Sequence, residues 1–307
     1  MIRYSLFPII HKDLYDFYKL QESAIWRVEK VDLSSDNFNK LDDNIKTVLK
    51  NILSFFSASD IIVNENITNS LLPHVKETEA QFFYNLQSYV ECVHSEQYSL
   101  FIQTYINDID ERTKMFDAIN NIESVKKKAN WALKWLNTES SFEEKLVAFS
   151  LVEGLSFSSS FLFIFFIREL GLMPGLCLGN NYIAADEALH FKFAINYYHN
   201  YCKNKLDSSK LKEIILECFE TEILFVDEII PANIKGLNKE SVKEYIKYVT
   251  DTILINYGLK PLFFAKQPFS FMEKIAIQRK NNFFETRSNE YSSPKNSEII
   301  INKNLDF

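Results

Sequence analysis

Two short spacings carry the chemistry in this chain. Glu91 and His94 are three positions apart, and so are Glu187 and His190. On a helix, residues at that spacing lie one above the other on the same face, so a carboxylate and an imidazole can reach a common ion. Tyr98 stands one further turn along the first face, and Asp186 immediately precedes the second pair. Of the five histidines, only His94 and His190 have an acid three positions earlier; His11, His74 and His199 lack such company and read as structural. Four carboxylates and two imidazoles converging in a core would suit a borderline-hard ion such as iron or manganese. A tyrosine held beside such a centre is a redox candidate.

The two remaining carboxylates come from the apolar pattern of other helices. From Asn39 to about Leu72, Leu41, Ile45, Val48, Leu49, Ile52, Phe55 and Phe56 recur at helical spacing, and Asp60 falls on that progression. A charge on an apolar stripe needs a partner. Glu153 sits in the middle of Leu146 to Ile167, a run apolar and long enough to resemble a membrane span. An unpaired carboxylate at that depth is costly in lipid, whereas in a protein core a metal can neutralise it, so the run reads as a buried helix. Two Glu-x-x-His pairs plus one acid from each of two other helices is the ligand recipe of a dimetal carboxylate site in a ferritin-like bundle.

The rest of the chain supplies elements of the right length. A second long helix is expected from about Glu77 to Asn107, with Phe82, Leu86, Tyr89, Val93, Leu100 and Ile106 as its stripe. Two shorter helices, about Asp110 to Asn121 and Glu123 to Asn137, make a charged connection. Ser140 and Ser141 followed by Glu143 and Glu144 mark the start of the helix through Glu153 to about Leu170. Gly171 to Gly175 punctuates, and a helix through Asp186, Glu187 and His190 runs on to about Asn204. Helices at about Ser209 to Ile230 and Lys239 to Tyr257 complete the core. No segment alternates with period two for long, so an all-α fold is expected. Residues 1–288 form one ferritin-like helical domain in this reading, with 1–32 an arm lying on its body and 289–307 a flexible C-terminal tail.

Composition narrows the function classes. Only 6 glycines and 7 prolines in 307 residues, with 47% hydrophobic and 15% aromatic side chains, point to long regular elements around a large core. A net charge of -7 and an isoelectric point near 5.4 give no basic face for nucleic acid. The tight run Lys126, Lys127 and Lys128 reads as a solvated helix face. Four cysteines without close pairing and an N-terminus unlike a signal peptide fit a reducing, cytoplasmic setting with no membrane.

Further motifs bring a family into view: Phe55-Phe56-Ser57-Ala58-Ser59-Asp60, Val63-Asn64-Glu65-Asn66, His94-Ser95-Glu96-Gln97-Tyr98-Ser99, Val125-Lys126-Lys127-Lys128-Ala129 with Trp131-Ala132-Leu133, Gly171-Leu172-Met173-Pro174-Gly175-Leu176, Asp186-Glu187-Ala188-Leu189-His190 and Asn282-Phe283-Phe284-Glu285. With these, the sequence resembles the radical-generating small subunit of class I ribonucleotide reductase, in its eukaryotic and viral form, from about Tyr15 to Phe307. The resemblance implies that Asp60, Glu91 and His94 hold one iron and Glu153, Glu187 and His190 the other. It implies a diiron-oxo centre built with oxygen, manganese being the alternative metal, and a tyrosyl radical on Tyr98 inside an apolar pocket of Phe157, Phe161 and Ile183.

By the same resemblance, Asp186 links His94 to Trp26 by hydrogen bonds, and Tyr291 passes the oxidising equivalent across a subunit boundary. The C-terminal Leu305-Asp306-Phe307 docks on a large subunit, where ribonucleotides are reduced to deoxyribonucleotides, and the small chain is a homodimer. Ala185 departs from the pattern, standing where arginine is usual, with an expected effect on solvent access near the metals. The rival reading on the same fold is a ferritin-like dimetal oxidase or monooxygenase acting without a large subunit; iron storage would call for a far shorter, cage-forming chain.

Overall fold

A computed structural model describes residues 4–136, 139–232 and 234–273. Its elements are helical, and among the described residues the β-structure is one isolated bridge between Ile234 and Leu237. The helices are α1 (Lys12–Ser23), α2 (Asp43–Asn66), α3 (Thr78–Tyr105), α4 (Ile109–Phe116), α5 (Ala118–Asn121), α6 (Glu123–Leu136), α7 (Phe142–Leu151), α8 (Ser158–Glu169), α9 (Pro174–Tyr201), α10 (Ser208–Ile229) and α11 (Lys239–Asn256). Two π-helical turns interrupt the regular pattern: Ile67–Leu71 continues α2, and Val152–Ser156 joins α7 to α8.

The helix starts have local causes. Asp42 caps α2 by accepting from the Asn44 N–H, Asp207 caps α10 through Ser209 and Lys210, and Asn238 caps α11 through Glu240. Ser141 and Glu144 form the reciprocal capping box that the Ser-Ser-x-Glu-Glu run announces. Helix α9 opens on Pro174, and the Asp36 carboxylate accepts from the Gly175 and Leu176 N–H groups at 2.7 and 2.9 Å. Gly175 is required there, because a Cβ would lie 2.4 Å from the Asp32 carbonyl oxygen.

α2 and α3 pack side by side, α1 lies on α3 and α9, and α9 packs against α7 and α8. At 28 residues each, α3 and α9 are about 42 Å long. The stripe expected on α2 is buried throughout, Asp60 included. The stripe expected on α3 is only partly right: Val93 and Ile106 are buried, but Phe82 and Tyr89 are exposed at 38% and 47%, and the inward strip is Phe83, Tyr84, Gln87, Val90, Glu91, His94 and Tyr98. This helix spends part of its inward face on polar groups and carries some apolar ones outside, which shifts its buried strip from the apolar pattern.

The apolar run Leu146 to Ile167, within a helical stretch long enough to cross a membrane, is buried throughout inside the protein. Lys128 also departs from expectation: while Lys126 and Lys127 are exposed, its side chain is 1% exposed and ion-paired with Glu222. The expected division into a body and a tail at residue 288 lies outside the described residues, as do Tyr291, Leu305, Asp306, Phe307 and the motif Asn282 to Glu285.

Candidate metal centre

Four helical segments deliver the site. α3 contributes Glu91, His94 and Tyr98, α9 contributes Asp186, Glu187 and His190, α2 contributes Asp60, and the π-helical turn Val152–Ser156 contributes Glu153. The six expected ligands are each at most 3% exposed. Turns of π-helix widen a helix locally and recur at functional sites; here one such turn carries an acid.

Glu91, Glu153, Glu187 and His190 form a cluster in which one ligand atom from each lies within 4.8 Å of the others. His190 Nδ1 is 3.1 Å from Glu91 Oε1 and 3.3 Å from both Glu153 Oε2 and Glu187 Oε2. His94 Nδ1 reaches the same group from the other side, 3.0 Å from Glu187 Oε1 and 3.3 Å from Glu91 Oε2. Asp60 is buried but makes no ion pair or hydrogen bond with these five; its carboxyl feels Glu91, His94 and Glu187 through charge. Glu91 and Glu187 therefore stand between the two imidazoles, where a carboxylate can serve two ions.

Behind His94, Asp186 accepts three bonds. His94 Nε2 lies 3.1 Å and Trp26 Nε1 2.8 Å from its Oδ2, and Gln21 Nε2 lies 3.1 Å from Oδ1. A carboxylate can only accept, so His94 donates from Nε2 to Asp186, which leaves Nδ1, on the side of the acids, as the atom that would bind an ion. The Trp26 indole lies nearly parallel to the His94 ring at 6.1 Å. The connection from Trp26 through Asp186 to His94 is thus present as expected. Gln21 and Gln87 are additions that sequence reasoning missed; Gln87 donates to Glu153 Oε1 at 3.1 Å. Its place four residues before Glu91 on the inward face was a usable signal, whereas Gln21 had none.

Tyr98 is fully buried, and its hydroxyl has no hydrogen-bond partner. Its ring stacks on Phe56 with centroids 4.4 Å apart and planes 7° from parallel. Phe157 and Phe161 pack on the same Phe56 at 5.4 and 5.2 Å, and Ile183 is buried. Phe56 is therefore the central wall of the apolar surroundings, a role its sequence position alone did not reveal. Ala185 is exposed on α9 while its neighbours Ala184 and Asp186 are buried, so its side chain does not join the acids. A cleft walled by Phe161, Ala184, Ala188, Tyr245 and Met272 reaches Glu153 and Glu187.

The electrostatics describe a site that is short of positive charge. Burial, then the charge of Glu91, holds Asp60 well above the ordinary carboxylate range. Burial also opposes ionisation of Glu91, but hydrogen bonding and charge from His190 and His94 outweigh it and bring that carboxyl down to about 2. Burial would depress both imidazoles; the acids around them reverse this, lifting His94 well above 6.5 and His190 to about 9. Burial, followed by the charges of Asp60, Glu187 and Glu91, raises the Tyr98 phenol well above 10 and keeps it protonated.

Cation-binding atoms are left over. Asp60 Oδ2 is buried without a hydrogen-bonding partner, and both Glu91 oxygens, Glu187 Oε1 and His94 Nδ1 meet one another or His190 only in contacts of 3.0–3.3 Å that are poorly aligned as hydrogen bonds. Among the described residues, lysine and arginine form no ion pair with the four acids. Buried carboxylates demand compensation. Two divalent ions would offset four carboxylates while leaving both imidazoles neutral, and the oxygen-rich donor set with two nitrogens matches iron or manganese. The residues fit such a pair.

Known proteins share this sequence pattern and fold. The family model described as ribonucleotide reductase, small chain, matches residues 3–268. The chain is 44% identical over 312 residues to a ribonucleoside-diphosphate reductase small chain of Yaba-like disease virus, covering 99% of this chain and 96% of that one. It is 40% identical over 312 residues to the corresponding chain of Trypanosoma brucei brucei, covering 99% and 93%. Among solved structures, the ribonucleotide reductase Rnr4 homodimer from Saccharomyces cerevisiae superposes with a TM-score of 0.81 at 27% identity, covering 95% of this chain and 90% of that one. A dimanganese(II) protein of Streptococcus sanguinis shares the fold at a TM-score of 0.80 and 17% identity, covering 90% and 99%.

Proposed function

This chain belongs to the ribonucleotide reductase small-chain family, and from that premise we propose that it stores an oxidising equivalent on Tyr98 and delivers it to a large subunit for reduction of ribonucleoside diphosphates. The observation that carries the proposal is a fully buried, unpartnered phenol one helical turn from a cluster of acids and imidazoles with unused ligand atoms. Asp60, Glu91 and His94 would hold one ion and Glu153, Glu187 and His190 the other. A pair of iron or manganese ions bound there supplies, at the expense of oxygen, the one-electron oxidation of a nearby phenol.

The side chains divide the remaining work. Tyr98 Oη keeps its proton while the phenol is reduced, because its buried surroundings and the neighbouring acids raise its pKa. Phe56, Phe157, Phe161 and Ile183 exclude water and reductants from the oxidised ring. Asp186 fixes the tautomer and orientation of His94 and connects it to Trp26, the route by which an electron would cross toward the surface.

In this reading Tyr291 continues that route. The tail 289–307, ending in Leu305, Asp306 and Phe307, docks on the large subunit, and the body is the domain 1–288, in the cytoplasm. Exposed apolar side chains along α2 and α3, Ile61 and Tyr89 among them, suit a second copy of the chain, as in the yeast homodimer. The test is turnover: the chain loaded with iron in air and mixed with its large subunit should form deoxyribonucleoside diphosphates, and neither chain alone should. Substrate oxidation by this chain alone would instead support the oxidase reading.

A further inference from the structure

The pair formed by Lys128 and Glu222 lies outside the ligand set yet touches the segment that carries Glu153. Lys128 reaches inward from α6, and Glu222, 0% exposed, meets it from α10 with Nζ and Oε2 2.5 Å apart. The ammonium also donates to the Ser156 carbonyl at 2.5 Å and lies over the Phe55 and Phe225 rings, 3.8 and 3.9 Å from their centroids. Glu222 Oε1 accepts from the Ser159 N–H at 2.9 Å. Burial draws the lysine below its ordinary pKa even with Glu222 beside it. Stability alone is a poor account of such an arrangement, because enclosed ion pairs often contribute no more than apolar side chains of similar size.

What the pair grips is informative. Where a π-helical turn gives way to a new helix, the regular backbone ladder is broken, and carbonyls before the break and N–H groups after it need outside partners. Ser156 is the last residue of the turn that contains Glu153, and Ser159 lies in the first turn of α8. Lys128 serves the carbonyl on one side of the break and Glu222 the N–H on the other. Phe157, between them, packs on both Phe55 and Phe56, so the same junction borders the walls around Tyr98.

We infer that the Lys128–Glu222 pair is a positioning device for the metal centre: anchored in α6 and α10, it pins the exit of the π-helical turn and so holds Glu153 in register with Glu187 and His190. This rests on the reading of those three residues as ligands of one ion. Loss of the pair loosens that ion's site selectively, since groups that orient ligands typically govern metal affinity by about 10–100-fold.

The experiment is a Mn(II) titration of the full-length protein followed by electron paramagnetic resonance. Wild type should take up two ions per chain and show the spectrum of a coupled pair. Lys128→Met should bind one ion as wild type does and the second at least about 10-fold more weakly, with the six-line signal of isolated Mn(II) in place of the coupled one. Should Lys128→Met fail to fold around an unpaired buried carboxylate, Lys128→Met/Glu222→Gln, which leaves no such charge, decides the matter with the same expected result. Two ions bound at wild-type affinity in the folded variant, even with lowered thermal stability, would reduce the pair to a structural contact and overturn the inference. Wild type taking up fewer than two ions would overturn the ligand reading itself, and this inference with it.

Discussion

Replacing Gly154 by alanine tests whether the π-helical turn and α9 are in the tight contact that the site requires. Gly154 follows Glu153, and a Cβ there would lie 2.6 and 2.9 Å from Cδ2 and Cε2 of Phe191, the residue after His190. Ordinary carbon contacts begin near about 3.5 Å. Phe191 is 0% exposed, and in a close-packed interior a ring does not shift freely, so the turn or α9 is expected to move. Overpacking of this kind costs about 1–3 kcal/mol. In a chain of this size that lowers the midpoint of thermal unfolding by roughly 2–12 °C. Because the clash separates the backbone segments that bear Glu153 and His190, Mn(II) affinity should fall as well, by about 10-fold or more. Calorimetry of the metal-free protein measures the packing cost, and a Mn(II) titration measures the effect on the site. An unchanged midpoint with unchanged affinity would refute the claimed contact between the two segments.

Other expectations follow from the same geometry. Asp186→Asn removes a charge that accepts from Trp26, His94 and Gln21; stability should fall by about 1.5–3 kcal/mol and metal affinity by about 10-fold or more, and wild-type values for both would dismiss the role given to Asp186. Metal-free protein should be pH-sensitive in a definite direction. His190 is raised from 6.5 to about 9, so its contribution to stability is complete below pH 6.5 and lost as pH climbs through 9. Glu91 is lowered from 4.5 to about 2, so its contribution is present above pH 4.5 and lost as pH falls through 2. Calorimetry should therefore show the metal-free midpoint declining between pH 6.5 and 9, and a flat profile there would speak against protonated imidazole at the site. Deleting residues 301–307 should leave metal content intact and weaken binding to the large subunit in a pull-down or titration; undiminished affinity would remove the docking role of Leu305, Asp306 and Phe307.

The candidate ligand positions were legible in the sequence because each is a polar residue that breaks an otherwise apolar helical rhythm. Asp60 on the α2 stripe and Glu153 within an apolar run are anomalies of this sort, and the paired Glu-x-x-His spacings of Glu91 with His94 and Glu187 with His190 narrow the chemistry further. The structure buries all six and brings Glu91, Glu153, Glu187, His94 and His190 into mutual contact, while Asp60 makes no ion pair or hydrogen bond with them. What spacing could not reveal were features set by packing between distant segments. The inward face of α3 was misjudged because its buried strip is partly polar, leaving Phe82 and Tyr89 outside. Lys128 looked like one more charge in a solvated run, and only the arrival of Glu222 and the Ser156 carbonyl from other helices explains its burial. The π-helical turn at Val152–Ser156 leaves no mark in composition, since it depends on what the neighbouring helices offer to the broken ladder.

The account stands most directly on Tyr98 and the ions beside it. Wild type and Tyr98→Phe should each be loaded with ferrous iron, exposed to air, and measured for bound iron and by electron paramagnetic resonance. The prediction is two irons per chain in both proteins, with an organic radical signal in wild type and none in the variant. A radical of normal intensity in Tyr98→Phe, or fewer than two irons in wild type, would contradict it.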